Sequence, residues 1–234
     1  MAQLFVRPDA ASRIALPSLP VLESWNAVDH PDQRRLRAYL DEVVTLIGAA
    51  AWPPSETLAL ELIVGLPATI APDRGGRDLD NYLLPIVRRI GAGRVAAVFG
   101  RKLRQPRSTI AIGAAVPQTG SPDPPQLSIR TTTSVQSVAW KHAIHQACDR
   151  ASSEPLPSGP VGLRIRFGVS SRRNWSALWK PAIDALGPLL GMPDPQHPFR
   201  PSDDRIVELE LHRDVDEVLA NDVVIDVWWR RLAS

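Results

Sequence analysis

The chain has 234 residues, 44% of them hydrophobic and 22% charged, with a formal net charge of +2; this composition fits a globular protein and excludes a disordered one. No apolar run approaches the roughly 20 residues of a membrane-spanning helix. The amino-terminal MAQLFVRPDAASRIALPSLP also lacks the unbroken apolar stretch of a secretory signal, so the expected location is cytoplasmic. The lone cysteine, Cys148, excludes an internal disulfide and, with no nearby Cys/His pattern, reads as a buried apolar filler rather than a nucleophile.

In chain order, residues 30 to 50 place Leu36, Leu40, Val43, Val44 and Ile47 at helical spacing, an amphipathic helix. After the Trp52-Pro53-Pro54-Ser55 break, TLALELIVGL reads as a strand with Leu58, Leu60 and Leu62 on one face. The loop APDRGGR leads into a helix over 78 to 90 that Gly91 stops, and RVAAVFG and STIAIGAAV follow as strands. Residues 117 to 126, PQTGSPDPPQ, are dense in Pro and Gly and mark a linker.

The order then starts again. Residues 134 to 152 form a second amphipathic helix with Val138, Ala139, Ala143, Ile144 and Ala147 inward, and VGLRIRFGV alternates Leu163, Ile165 and Phe167 with Arg164 and Arg166. The SSRR loop precedes a helix starting near Asn174, and RIVELELHR and NDVVIDVWW close the chain as strands. A shift of 96 residues pairs Pro85 with Pro181, Ile90 with Leu186 and Gly91 with Gly187. An internal duplication is the simplest account. It predicts an α+β fold of two units, 1–116 and 127–234, each a helix packed on a small mixed or antiparallel sheet, joined by the 117–126 linker. Pro85 and Pro181 inside apparent helices predict a kink or a later helix start.

Asp78 and Asp80 stand two apart at a loop-to-helix junction, where two carboxylates can share a hard divalent cation. The same position suits Asp78 or Asn81 as a helix N-cap, and both readings stand. His142 and His145, spaced i,i+3, are too few for a structural zinc site. Arginines gather in RRLR (34–37), GRKLRQPR (100–107), SSRR (170–173) and WWRR (228–231), and guanidinium forks suit phosphate oxygens as well as they suit a solvated surface. Trp175, Trp179, Trp228 and Trp229 read as core or interface filler, or as platforms for bases.

The segment Pro72-Asp73-Arg74-Gly75-Gly76-Arg77-Asp78-Leu79-Asp80-Asn81 resembles the active-site segment of RusA-type Holliday junction resolvases, which carry Asp-x-Asp-Asn, a Lys, Asp-Ala-Leu, then a Gly and an Asp-Asp pair before a strand. The resemblance implies a Mg2+-dependent nuclease for branched DNA, acting in recombination and repair. Each half keeps what the other lacks. The first has Asp78, Asp80 and Asn81 but Leu84 at the Lys position, Arg88-Arg89-Ile90 for Asp-Ala-Leu, and Val98-Phe99-Gly100-Arg101 in the region of the acidic pair; the second has Asn174 and Ser176 for the aspartates but keeps Lys180, Asp184-Ala185-Leu186 and Asp203-Asp204.

If sites draw on one half only, both are incomplete; if they mix halves, one is complete. The expectation is an intramolecular pseudo-dimer with one composite Mg2+ (or Mn2+) site. Its ligands are Asp78, Asp80 and Asp204, with Asp203 nearby, Lys180 stabilising charge on the phosphate, and Asp184 either in the site or paired with Lys180. Arg74, Arg77, Arg101, Lys102, Arg104, Arg172 and Arg173 are the expected nucleic-acid contacts. The alternative is a catalytically inactive RusA-like module that binds DNA or a protein.

Overall fold

The computed structural model describes residues 3–23, 26–27, 29–48, 52–152 and 154–233. Helix α1, Pro31–Leu46, opens with proline in its first turn, where a missing N–H costs nothing, and the His30 ring accepts the Asp32 N–H. Its inward face is Leu36, Tyr39, Leu40 and Val43, with Ile47 just past its end. Ala49 and Ala50, the end of the expected helix, and Met1, Ala2 and Ser234, the outer ends of the expected units, lie outside the described residues. Helix α2, Leu79–Ile90, keeps Pro85 inside it and ends at Gly91, whose φ of 108° suits a residue without Cβ. Helix α3, Val138–Ala151, starts at the Ser137 cap.

Among the described residues, eight strands make one mixed sheet: β1 Ile14–Ala15, β2 Leu58–Leu66, β3 Val95–Arg104, β4 Thr109–Ala114, β5 Leu127–Thr131, β6 Val161–Val169, β7 Ile206–Val215 and β8 Val223–Arg231, in the order β1-β4-β2-β3-β7-β6-β8-β5. The sequence predicted two small sheets. They are continuous because β3 and β7 pair antiparallel, Ala97–Arg101 against Glu208–His212, so the edge that each half would leave unpaired satisfies the other. Strands β1 and β5, not foreseen, form the two outer edges. Residues 117–126 contain no helix or strand and lie between β4 and β5.

The strand order reads alike from both ends to the β3–β7 join. Strands β2 and β3 run parallel with a register shift between Leu58 and Ala59, and β6 and β7 run parallel with one between Val161 and Gly162. A 3-10 turn precedes β3 (Ala92–Arg94) and another precedes β7 (Asp203–Arg205). Arg94 donates to the Trp52 and Pro53 carbonyls ahead of β2, and Arg205 to those of Leu156, Pro157 and Gly159 ahead of β6.

One face of the sheet carries the apolar core. Leu58, Leu60, Leu62, Val98, Leu163, Ile165, Phe167, Leu209 and Leu211 meet Leu83, Ile86 and Val87 of α2 and Trp140, Ile144 and Cys148 of α3. The inward stripe of α3 is thus Trp140-Ile144-Cys148, not the alanine-rich face the periodicity suggested, and Val138 is 62% exposed. One indole buries more apolar area than several methyl groups, and it sets the helix phase. Cys148 is a buried filler, and burial pushes its thiol up to about 11.

The opposite face is polar. Glu61 is bridged by Arg13, Arg7 and Arg101; Glu210 by Arg7 and Arg164; and Arg166 holds both Asp214 and Asp226. The amino-terminal segment crosses this face, with the Gln3 N–H donated to Asp214 and the Phe5 N–H to His212 Nδ1.

In the second half the chain after Arg173 forms a 3-10 turn, Trp175–Leu178, then the short helices α4, Trp179–Asp184, and α5, Gly187–Leu190. Pro181 therefore sits in the first turn of a helix that begins late, one of the two outcomes its position predicted. The positive φ that ends α5 belongs to Gly191 (89°), so Gly191 is the positional counterpart of Gly91, and Gly187 begins α5. Trp175 and Trp179 are fully buried, edge to face at 4.8 Å. Among the described residues no helix is long and apolar enough to cross a membrane.

Candidate metal centre

Asp78 takes the N-cap position of α2, yet its side chain makes no capping hydrogen bond; its Oδ2 accepts from Asn81 Nδ2 at 3.1 Å. The carboxylate is left facing the start of β7. Asp80, one residue into the first turn, points inward and is 2% exposed. Asp203, in the 3-10 turn before β7, is the third carboxylate: one oxygen from each of Asp78, Asp80 and Asp203 lies within 4.8 Å of the others. Asp80 Oδ2 and Asp78 Oδ1 are buried without a hydrogen-bond partner. Buried oxygens are rarely left so unless something else coordinates them.

Lys180, near the start of α4, reaches this group. Its ammonium lies 2.7 Å from Asp203 Oδ2, 3.7 Å from Asp78 Oδ2, 3.9 Å from Asp80 Oδ2 and 3.5 Å from Asp184 Oδ1. Asp184 also takes Lys141 of α3 at 2.7 Å, so it is both part of the site's rim and the i,i+4 partner of Lys180. Burial acts against the Lys180 charge, but Asp80, Asp203 and Asp184 outweigh it and hold the ammonium above its ordinary range. Burial, helped by Asp203, Asp78 and Asp184, pushes the Asp80 carboxyl up to about 7 although Lys180 opposes it. Asp78 is raised too, by burial first and then Asp203. These carboxylates are crowded and desolvated, the condition in which a divalent cation relieves most.

The two neighbouring aspartates exchange their expected parts. Asp204, expected as a ligand, turns instead to the Gly-Gly loop, its Oδ2 accepting from Gly75 N at 3.0 Å and Gly76 N at 3.5 Å. Asp203, expected nearby, joins Asp78 and Asp80. The reason is the tight 3-10 turn, which aims consecutive side chains in different directions.

Of the expected phosphate contacts, Arg74 and Arg77 lie in the loop entering Asp78, and Arg74 is exposed. Arg172 and Arg173 lie in the loop before Asn174, between β6 and the 3-10 turn Trp175–Leu178. Arg104 is exposed at the end of β3. Arg101 is not available as expected: it faces the polar side of the sheet and pairs with Glu61 at 3.2 Å. Lys102 is 2% exposed and donates to the Asp204 carbonyl at 2.6 Å, which places it beneath the centre and out of reach of DNA. Burial pulls its pKa down to about 8 against the attraction of Asp78, Asp204 and Asp203. Lys102 shares a face with Val98 and Gly100, so strand alternation was a signal for an inward lysine. Lys141 had no such signal, since only the packing of α3 brings it to Asp184.

A cleft of about 680 Å³ opens beside the centre, bordered by Lys180, Asp184 and Asp203 and walled by Lys141, His142 and Phe199. The centre draws Asp78, Asp80 and Lys102 from the first half of the chain and Lys180, Asp184 and Asp203 from the second. This donor set, all carboxylate oxygen, suits a hard divalent cation and not a thiolate-seeking metal. No protein-family model matches this chain, and neither the curated proteins nor the solved structures include a match to it.

Proposed function

We propose that this protein is a divalent-metal-dependent endonuclease for branched DNA, folded as an intramolecular pair of RusA-like halves that share one composite site. The observation that carries the reading is the group Asp78, Asp80 and Asp203, with ligand oxygens within 4.8 Å and the Asp80 Oδ2 buried without a hydrogen-bond partner. The pairing of halves is supported by the strand order read from either end, by the matching register shifts at Leu58 and Val161, and by Arg94 and Arg205 anchoring equivalent loops.

A bound Mg2+ or Mn2+ supplies Lewis acidity and lowers the pKa of water beside the phosphate. Asp78, Asp80 and Asp203 hold the ion. Lys180, already among four carboxylates, offsets the charge that builds on the phosphate. Lys102 donates to the Asp204 carbonyl, and the Asp204 carboxylate accepts from the Gly75 N–H, so the loop that carries the exposed Arg74 is tied to the turn that carries Asp203. DNA binding is salt-sensitive and modest, because the net charge is only +2.

One observation favours a second reading, an inactive module that binds DNA or a protein. Lys180 stands at 2.7 Å from Asp203 and within 4 Å of Asp78 and Asp80, so the carboxylates have an internal counter-ion. Cleavage of an end-labelled four-way junction in Mg2+, in Mn2+ and in chelator separates the two. Metal-dependent cutting that is lost in both Asp80→Asn and Asp203→Asn supports the nuclease with a site spanning both halves. Binding without cutting, unchanged by either substitution, supports the inactive module.

A further inference from the structure

The centre has a counterpart position in the other half of the fold. There the entry to the helix carries Asn174 and Ser176 in place of Asp78 and Asp80, and the 3-10 turn before β3 carries Ala92 and Gly93 where the turn before β7 carries Asp203 and Asp204. The two pieces meet, since Trp175 Nε1 donates to the Ala92 carbonyl at 3.0 Å. Leu84 is buried where Lys180 belongs, and Arg88, at the position of Asp184, pairs with Glu23. Ser176 is 1% exposed, and its hydroxyl is donated to Asn174 Oδ1 at 2.9 Å. Neutral amide and hydroxyl oxygens do not repay the dehydration of Mg2+. Among the described residues, Asp78, Asp80 and Asp203 are the one group able to hold a metal.

We infer that the protein cuts one strand per junction and leaves the opposite strand intact. The inference rests on the nuclease reading and deepens it. A symmetric junction needs paired incisions from two sites related by a two-fold axis; this chain offers one charged site and one neutral one on either side of the β3–β7 join. At the charged site, water adds across one phosphodiester: its oxygen bonds to phosphorus, the P–O bond to one sugar breaks, and a proton ends on the departing sugar oxygen. The products are one phosphomonoester and one hydroxyl, with no second break. The counterpart position receives the opposing strand without cutting it.

The test uses a supercoiled plasmid carrying an inverted repeat extruded as a cruciform, with Mg2+ or Mn2+. The first cut releases the supercoiling that maintains the cruciform, so a second cut must come before the protein dissociates. The expected product is nicked circle, lost in Asp80→Asn. Linear plasmid as the main early product overturns the single-incision inference and leaves the nuclease reading intact. No metal-dependent product at all overturns both, with binding to the labelled junction then pointing to the inactive module.

Discussion

Replacing Asp80 by asparagine should stabilise the metal-free protein. Burial, with Asp203, Asp78 and Asp184, raises this carboxyl from 3.8 to about 7 against the pull of Lys180. The folded chain therefore keeps a proton that the unfolded chain gives up near its ordinary pKa. Between those values the folded state binds more protons, so stability falls as pH rises through the window, and the whole penalty stands above about pH 7. A shift of about 3 units at roughly 1.4 kcal/mol each sets a ceiling of about 4 kcal/mol. For a chain of this size that corresponds to a rise of roughly 8–16 °C in Tm.

Asparagine carries no charge at any of these pH values. Thermal melts in chelator should show Asp80→Asn above the native protein at pH 8 and level with it near pH 4. With Mn2+ at ten times its Kd, the native protein should gain about 1.4 kcal/mol and the variant nothing. A variant that melts below the native protein at pH 8 in chelator would refute the reasoning, because the Lys180–Asp80 attraction would then outweigh burial.

Three further outcomes follow from the packing. A Cβ on Gly65 would lie 2.6 Å from the Arg107 carbonyl carbon and oxygen and 2.8 Å from the Gln105 carbonyl oxygen, all backbone, so Gly65→Ala should cost roughly 2 kcal/mol or more in denaturant unfolding. Arg166→Met leaves Asp214 and Asp226 without the guanidinium they share and should lower stability by about 3–5 kcal/mol in the same measurement. Burial works to raise the Glu210 carboxyl, but His212, Arg164 and Arg7 outweigh it and hold it below the usual carboxylate range. A depressed pKa gives stability that is present above the unfolded value of 4.5 and lost as pH falls, so Glu210→Gln should weaken the protein at pH 7 and flatten its acid limb.

The legible part of this protein was local. Alternation in VGLRIRFGV gave a strand whose Leu163, Ile165 and Phe167 are buried, and the loop-to-helix position of Asp78 and Asp80 made them candidates for a cap or a metal site, the family resemblance alone favouring the second. The order of elements, repeated in the two halves, is a property of the sequence because each element follows from its own short-range pattern. What local pattern cannot carry is which edges meet. The β3–β7 pairing joins residues more than a hundred positions apart, and it alone turns two sets of strands into one sheet.

The same pairing decides the site. Asp78 and Asp80 come within reach of Lys180 and Asp203 only because α2 and the turn before β7 pack together across the join. Which of the two adjacent aspartates faces the centre was a matter of one residue's rotation in a 3-10 turn, and nothing in Asp203-Asp204 distinguishes them in sequence. The phase of α3 was likewise settled by packing, since volume and desolvation are properties of the assembled core. The sequence by itself determined the residue types and the elements that carry them; long-range strand pairing, which no local periodicity encodes, determined that they form one centre.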